Sequence, residues 1–195
     1  MAIVDAVLQT PRLVLRRFTG ADAGALTALY QDPLVMRFIT DAFPSAEQVE
    51  SDILPAILRD YAEPGRLGRL AAIDTATGHF AGQFSLRPAN SPGLGGGGLE
   101  LGYRLAPAFW GRGLATEGAR AMIRAAFTGL RADRVVATTM AVNVRSWRVL
   151  EKCGLRRVRT FWYEGPDPLP GAEHGDYVYE QTRALYAQDR FRNLK

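Results

Sequence analysis

Leu99, Leu101, Tyr103 and Leu105 alternate with Glu100, Gly102 and Arg104, the two-residue period of a strand with one buried face. Pro107 ends the run because it has no N–H to give to a neighbouring strand. The period then changes. Ala115, Ala119, Met122, Ile123, Ala126 and Phe127 recur at three- and four-residue steps, which predicts a helix with one apolar face. Between strand and helix lies Trp110-Gly111-Arg112-Gly113-Leu114-Ala115-Thr116, a turn containing two residues without Cβ.

The same patterns place the other elements. Arg12 to Phe18 reads as a strand, and Thr19 to Asp22 as the cap of a helix carrying Leu26, Leu29 and Tyr30 that ends at Asp32-Pro33. Leu34, Val35, Met36 and Phe38 form an apolar cluster expected to close one side of a pocket. Ser45 to Gln48 is a second capping box, opening a helix with Val49, Ile53, Ile57 and Tyr61 on one face. Pro55 should kink or split that helix, at a cost of about 3 kcal/mol. Leu67 to Asp74 and His79 to Leu86 form a strand pair around the turn Thr75 to Gly78, and residues 87–98 form a loop rich in Pro and Gly. Arg134 to Met140 is a β-branched strand, buried on both sides if central. Asn143 and Gly154 bracket a short helix as N-cap and C′ residue. Leu155 to Tyr163 gives a sixth strand. After a loop over 164–175, Asp176 to Thr182 gives a seventh that returns beside it. Strands with helices interspersed predict a mixed α/β (α+β) sheet with helices packed on it.

At 195 residues the chain fits one domain, 1–195, with a sizeable core. No apolar run approaches a membrane span, and the N-terminus lacks the layout of a signal peptide, so the expected location is the cytosol, away from membranes. Cys153 is the single cysteine, which excludes a disulfide framework and a cysteine-based zinc site. Lys and Arg number 24 against 20 Asp and Glu, a modest excess that suits a polyanionic small ligand. The basic residues form no stripe interleaved with aromatics, so nucleic acid is not an expected partner. His174 sits in a Gly-rich loop without neighbouring ligands, and no metal site is expected. His79, at the mouth of a hairpin, reads as an exposed side chain ahead of a general base.

The glycine turn carries the chemistry. A helix N-terminus presents N–H groups without partners and a partial positive charge, and glycines let the backbone approach a phosphate closely. A diphosphate is therefore the expected ligand. The turn is neither a P-loop, lacking Gly-Lys-Ser/Thr, nor a G-x-G-x-x-G fingerprint, since Thr116 stands where the third glycine would fall. The run Gly95 to Gly98 has no capped helix after it and is no phosphate cradle.

Two blocks, Gly102 to Pro107 with Phe109 to Glu117, and Asn143-x-x-Ser146 running into Glu151 to Leu155, resemble the GNAT superfamily of N-acetyltransferases, in its RimJ/RimL-like branch. The resemblance implies a central, mostly antiparallel sheet of about seven strands, splayed near its middle, with helices on both faces. It implies acetyl-CoA as co-substrate, without a metal. Leu105, Trp110, Gly111, Arg112, Gly113, Leu114, Ala115, Thr116, Asn143 and Ser146 are then the cofactor-binding positions. The general motif opens with Arg or Gln where this chain has Trp110, a substitution usual in the RimJ/RimL-like branch. Lys152 and Arg112 are candidates to meet CoA phosphates.

Acetyl transfer to an amine requires a base for the nitrogen and a proton donor near the departing sulfur. Glu100 is the candidate base, against the plain reading of a solvated residue on the polar strand face. Many superfamily members place a tyrosine four residues after the position of Ser146, where this chain has Leu150, so Ser146 is the substitute candidate as donor. A serine this early in a helix also satisfies local N–H groups. The acceptor expected is a small-molecule or peptide amine. A non-catalytic acyl-CoA-binding module is the alternative. Cys153 reads as a buried, inert thiol, and Trp162 and Tyr163 as core, with the acceptor cleft or a homodimer contact as alternatives.

Overall fold

Eight strands pair in the spatial order β1-β2-β3-β4-β5-β6-β8-β7 in a computed structural model describing residues 6–63, 67–90, 94, 96–165 and 167–192. They are β1 (Ala6–Gln9), β2 (Leu13–Arg16), β3 (Gly68–Asp74), β4 (Phe80–Pro88), β5 (Leu99–Leu105), β6 (Arg134–Met140), β7 (Arg156–Phe161) and β8 (Asp176–Thr182). The sheet has one strand more than the seven expected. The addition is β1, whose four residues Ala-Val-Leu-Gln are too short to show a period. Residues 91–93 and 95 of the loop read over 87–98, Pro166 of the later loop and the first five residues lie outside the described part.

Every pairing is antiparallel except β5 with β6. That parallel pair holds only at Leu99 opposite Val135 and Glu100 opposite Val136. From Leu101 onward β5 stays bonded to β4 and leaves β6, and this opens the sheet at its middle, as expected. As expected too, β8 returns beside β7; it is inserted between β7 and β6.

Helices cover both faces. On one side α5 (Leu114–Arg124) and α6 (Val144–Lys152) lie on a core that includes Leu70, Phe84, Leu86, Leu101, Met122 and Leu150. Gly118 of α5 lies against the Phe84 ring so closely that a Cβ there would fall inside the ring's contact distance. On the other side α1 (Ala23–Gln31) and α4 (Leu54–Asp60) bury Leu26, Leu29, Tyr30, Leu54 and Ile57 with Ala71 of β3. Each such large aliphatic side chain contributes about 1.5–3 kcal/mol by leaving water.

Local signals explain the helix ends. The Ser45 capping box forms at α3 (Ala46–Gln48), with Gln48 N–H donating to Ser45 Oγ at 3.1 Å and Ser45 N–H to Gln48 Oε1 at 2.8 Å. The helix divides just ahead of Pro55, as the proline predicts. A wider turn over Val49–Ile53, in which Leu54 N–H reaches back to Val49 O, leads into α4 and leaves Pro55 in the first turn, where no N–H is needed. Asp32 ends α1 and caps α2 (Pro33–Met36). Within the expected apolar cluster only Met36 is buried, and Leu34 is 59% exposed. Trp162 and Tyr163 are exposed as well, outside the core in which they were expected. A last helix, α7 (Arg183–Arg192), follows β8 and had no counterpart in the sequence pattern. No helix among the described residues is long and apolar enough to cross a membrane.

Candidate active site

The turn after β5 is built to present backbone amides. Trp110 N–H bonds Pro107 O, and Glu117 N–H bonds Gly113 O. Among the described residues the N–H groups from Gly111 through Thr116 find no protein acceptor. Gly111 and Gly113 take φ of +73° and +78°, a left-handed conformation that only glycine enters without strain, and so turn consecutive amides toward one side. An anion there has unpaired amides within reach and the positive end of α5.

Side chains around the turn hold its shape. Arg12, just before β2, donates from Nη1 to Arg112 O at 2.8 Å and from Nε to Glu117 Oε2 at 2.7 Å, while its own N–H donates to Glu117 Oε1 at 2.8 Å. Burial would raise the Glu117 carboxyl, but Thr10 and Arg12 outweigh it and hold the group below the usual carboxylate range. The Trp110 indole N–H donates to Leu105 O at 2.6 Å and closes the end of β5. Leu105 and Leu114 bury their side chains in the core, so what they can offer a ligand is backbone. The Arg112 guanidinium turns away to Asp74 at 3.1 Å and stacks on Phe109. Ala115 and Thr116 form the first turn of α5. Lys152, Thr116, Gly113, Arg120 and Arg124 line a cavity of about 690 Å³ beside the turn, with Arg12.

A second cluster lies at the start of α6. The Asn143 side chain accepts from Ser146 N–H at 3.2 Å and caps the helix. Tyr103 of β5 donates its hydroxyl hydrogen to Ser146 O at 2.8 Å, and its oxygen is 3.1 Å from Ser146 Oγ. Burial holds the Tyr103 phenol above its ordinary value, against the opposing effect of Ser146. Leu150 is 1% exposed and belongs to the core, so no polar group arises from that helix position. Tyr103 and Arg12 were not among the expected site residues. For Tyr103 a signal existed: a phenol in an otherwise apolar strand face needs a hydrogen-bond partner when buried.

Glu100 points to the opposite face of β5 from Tyr103, since neighbouring side chains alternate. It stands opposite Arg87 of β4 and opposite Val136 of β6, at the point where the sheet parts. With Asp60, Asn90 and Arg87 it lines a cavity of about 340 Å³ on the α1 and α4 side. The expected residues thus fall into two groups, amide turn with Ser146 on one face of the sheet and Glu100 on the other. Cys153 is half-buried, and burial pushes its thiol up to about 11, which makes it inert. No group of three or more His, Cys, Asp or Glu residues that could hold a metal occurs among the described residues.

An amide-lined turn at the end of a strand that has parted from its parallel neighbour offers an anion site beside an open strand edge. The profile of the acetyltransferase (GNAT) domain matches residues 12–156, and the chain belongs to this family of acetyltransferases, with acetyl-CoA as co-substrate. It is 33% identical over 180 residues, 90% of this chain and 76% of the relative, to the FsC-acetyl coenzyme A-N(2)-transacetylase of Aspergillus fumigatus. Its fold is similar to that of a GNAT acetyltransferase from Bacillus anthracis (TM-score 0.74, 22% identity, 91% of this chain and 98% of that one). A spermidine N-acetyltransferase from Vibrio cholerae, solved with CoA and spermine, is equally similar in fold (TM-score 0.74, 18% identity, 91% and 99%).

Proposed function

We propose that the chain transfers the acetyl group of acetyl-CoA directly to a primary amine, of a small molecule or a protein N-terminus, with no covalent enzyme intermediate. The observation that carries this reading is the run of unpaired amides from Gly111 to Thr116 at the mouth of the parted strands. Gly111, Arg112, Gly113, Leu114, Ala115 and Thr116 hold the diphosphate through their N–H groups, and the edge of β5 up to Leu105 pairs with the extended arm. Asn143 and Ser146 flank that arm from α6. Trp110, opening the turn in place of Arg or Gln, favours the RimJ/RimL-like branch.

Acetyl-CoA supplies an activated acyl group as its thioester. Glu100 takes the proton that the amine nitrogen releases as its bond to the acetyl carbon forms and the carbon–sulfur bond breaks. Ser146 Oγ gives a hydrogen bond at the leaving sulfur. Tyr103 holds that serine in place and is a positioning residue. A thiol of pKa about 8.5 is a stronger acid than an unperturbed phenol at about 10, and burial widens the gap, so Tyr103 keeps its proton at pH 7.

Calorimetry with acetyl-CoA and with CoA, on the parent and on Gly113→Trp, tests the reading. Micromolar binding, lost in the variant, is expected; no binding to either ligand overturns it. Leu150 in the core, at the position of the usual tyrosine, favours a second reading as a non-catalytic acyl-CoA-binding module. Thiol release in the presence of an amine panel separates the two, since only the enzyme releases CoA in proportion to amine.

A further inference from the structure

Three arginines from three adjacent strands stand on one face of the sheet. Arg69 of β3 is opposite Ser85 of β4, Arg87 of β4 is opposite Glu100 of β5, and Arg104 of β5 is opposite Gln83 of β4. Paired residues share a face and every second residue returns to it, so the three stand on the face that α1 and α4 cover, and of the three Arg87 lines the cavity together with Glu100 and Asp60.

Two carboxylates, Glu100 and Asp60, line the cavity, against three arginines on this face. Among the described residues none of the three arginines takes part in an ion pair within 4.0 Å. Arg104 instead stacks over the Tyr30 ring, 4.8 Å from its centre, and reaches Met36 Sδ at 3.9 Å. Arg87 Nε is buried without a hydrogen-bond partner, an arrangement that is costly for a charged donor unless a ligand completes it. Burial, and then the neighbouring charges of Arg69 and Arg87, pull the Arg104 guanidinium below its ordinary value, against Tyr30, which raises it. Like charges held together in a half-buried cleft, next to an orphaned donor, mark a place for an anion.

We propose that the acceptor is a small amine that also carries a carboxylate, which Arg87 binds with Arg69 and Arg104 at its side, while the amine is turned toward Glu100. This rests on the acetyl-transfer reading above and narrows its substrate class. A free α-amino acid carries both groups on one carbon, so it can offer its carboxylate to Arg87 and its amine to Glu100, which stand directly opposite each other. A polyamine such as spermidine has no carboxylate to complete the orphaned Arg87 Nε, so the site favours the amino acid over it.

Two measurements test the proposal, one of them independent of turnover. In the first, the arginine Nε signals of the protein are followed by proton–nitrogen NMR, with and without CoA, during titration with glutamate and with spermidine; the Arg87 signal is the one missing in Arg87→Gln. Glutamate is expected to shift it saturably, spermidine is not, and Arg69→Gln should weaken the glutamate response at least fivefold. An Arg87 signal that glutamate leaves in place, or that spermidine moves equally, overturns the proposal whether or not any amine is acetylated. In the second, thiol release is compared for amino acids and their amides. A kcat/KM at least tenfold higher for the acid, falling to that of the amide in Arg87→Gln, is expected; equal or reversed preference overturns it. Failure of acetyl-CoA to bind at all would count against the acetyl-transfer reading instead.

Discussion

Tyr103 of β5 and Ser146 of α6 are joined twice, hydroxyl to carbonyl at 2.8 Å and hydroxyl to hydroxyl at 3.1 Å, across the region where β5 has already left β6. The hydroxyl–hydroxyl contact has no fixed donor, so the Ser146 hydrogen can turn from the Tyr103 oxygen to the leaving sulfur. The pair fixes the first turn of α6 against the strand that is to carry the cofactor arm.

Tyr103→Phe keeps the ring, which lies 6.2 Å from Phe84, and removes only the oxygen. Stability should fall by about 1 kcal/mol, the net value of a hydrogen bond. If Ser146 depends on this support, kcat should drop about tenfold while the acetyl-CoA Kd stays within about twofold, a loss confined to the transition state. Steady-state thiol release, calorimetry and thermal unfolding check the three parts. An unchanged kcat would reduce the pair to a structural tie.

Arg12 braces the glycine turn from 100 residues away by its bond to Arg112 O and its pair with Glu117. The Arg12 side chain is 51% exposed, so the pair itself contributes little to folding, about 0–1 kcal/mol. Its worth lies in holding the turn open to an anion. Arg12→Ala should therefore leave the unfolding midpoint nearly in place and weaken acetyl-CoA binding about tenfold, or about 1.4 kcal/mol. A calorimetric titration decides; equal affinity would mean that Gly111 and Gly113 shape the turn unaided.

The turn, the strand before it, the helix after it and the Asn143 helix were legible because each is specified locally, by alternation, by glycine, by helical period and by a cap within three residues. What escaped was set by distant partners. Nothing near Arg12 announces Glu117, and nothing near Tyr103 announces Ser146. The arginine cluster is invisible along the chain, since Arg69, Arg87 and Arg104 meet only through strand register. Short or weakly patterned elements escaped for another reason. β1 has four residues, and α7 carries Leu185 and Tyr186 among charged neighbours without a sustained apolar stripe. Pro55 was legible as a breaker, yet one wide turn placed it where a helix needs no donor.

Asp22 accepts from Arg16 Nη1 and Nη2 at 2.7 Å each and from Thr19 N–H at 2.8 Å. Burial by itself would raise this carboxyl, but Arg16 and Thr19 outweigh it and its value lies below the ordinary one. A depressed folded value means that the contribution is present above the unfolded pKa of about 3.9 and is lost as pH falls through the lower folded value. Asp22→Asn should cost about 1–3 kcal/mol at pH 7, between an exposed and a buried pair. In urea titrations at successive pH values the gap between parent and variant should close below about pH 4. A gap independent of pH would assign the loss to packing.

Gly118 sits inside α5, where alanine is intrinsically better by about 1 kcal/mol. The packing runs the other way. A Cβ at this position meets the Phe84 ring, which is fully buried and has no free rotamer to retreat to, so α5 must lift from the sheet. Overpacking of this kind costs about 1–3 kcal/mol and outweighs the propensity gain. Gly118→Ala should thus lower stability, and because α5 begins at the glycine turn, lifting it also displaces the amides of Leu114 to Thr116 and weakens acetyl-CoA binding. Phe84→Leu alone leaves a smaller ring-sized gap in the core and should also destabilise. Combined, the two substitutions are complementary in volume, and the double variant should be more stable than the sum of the single losses allows, by about 1 kcal/mol or more. A double-mutant cycle by denaturant unfolding, with calorimetry on the same four proteins, reads both effects: recovery of stability together with affinity ties the turn to the seating of α5, whereas recovery of stability alone separates them.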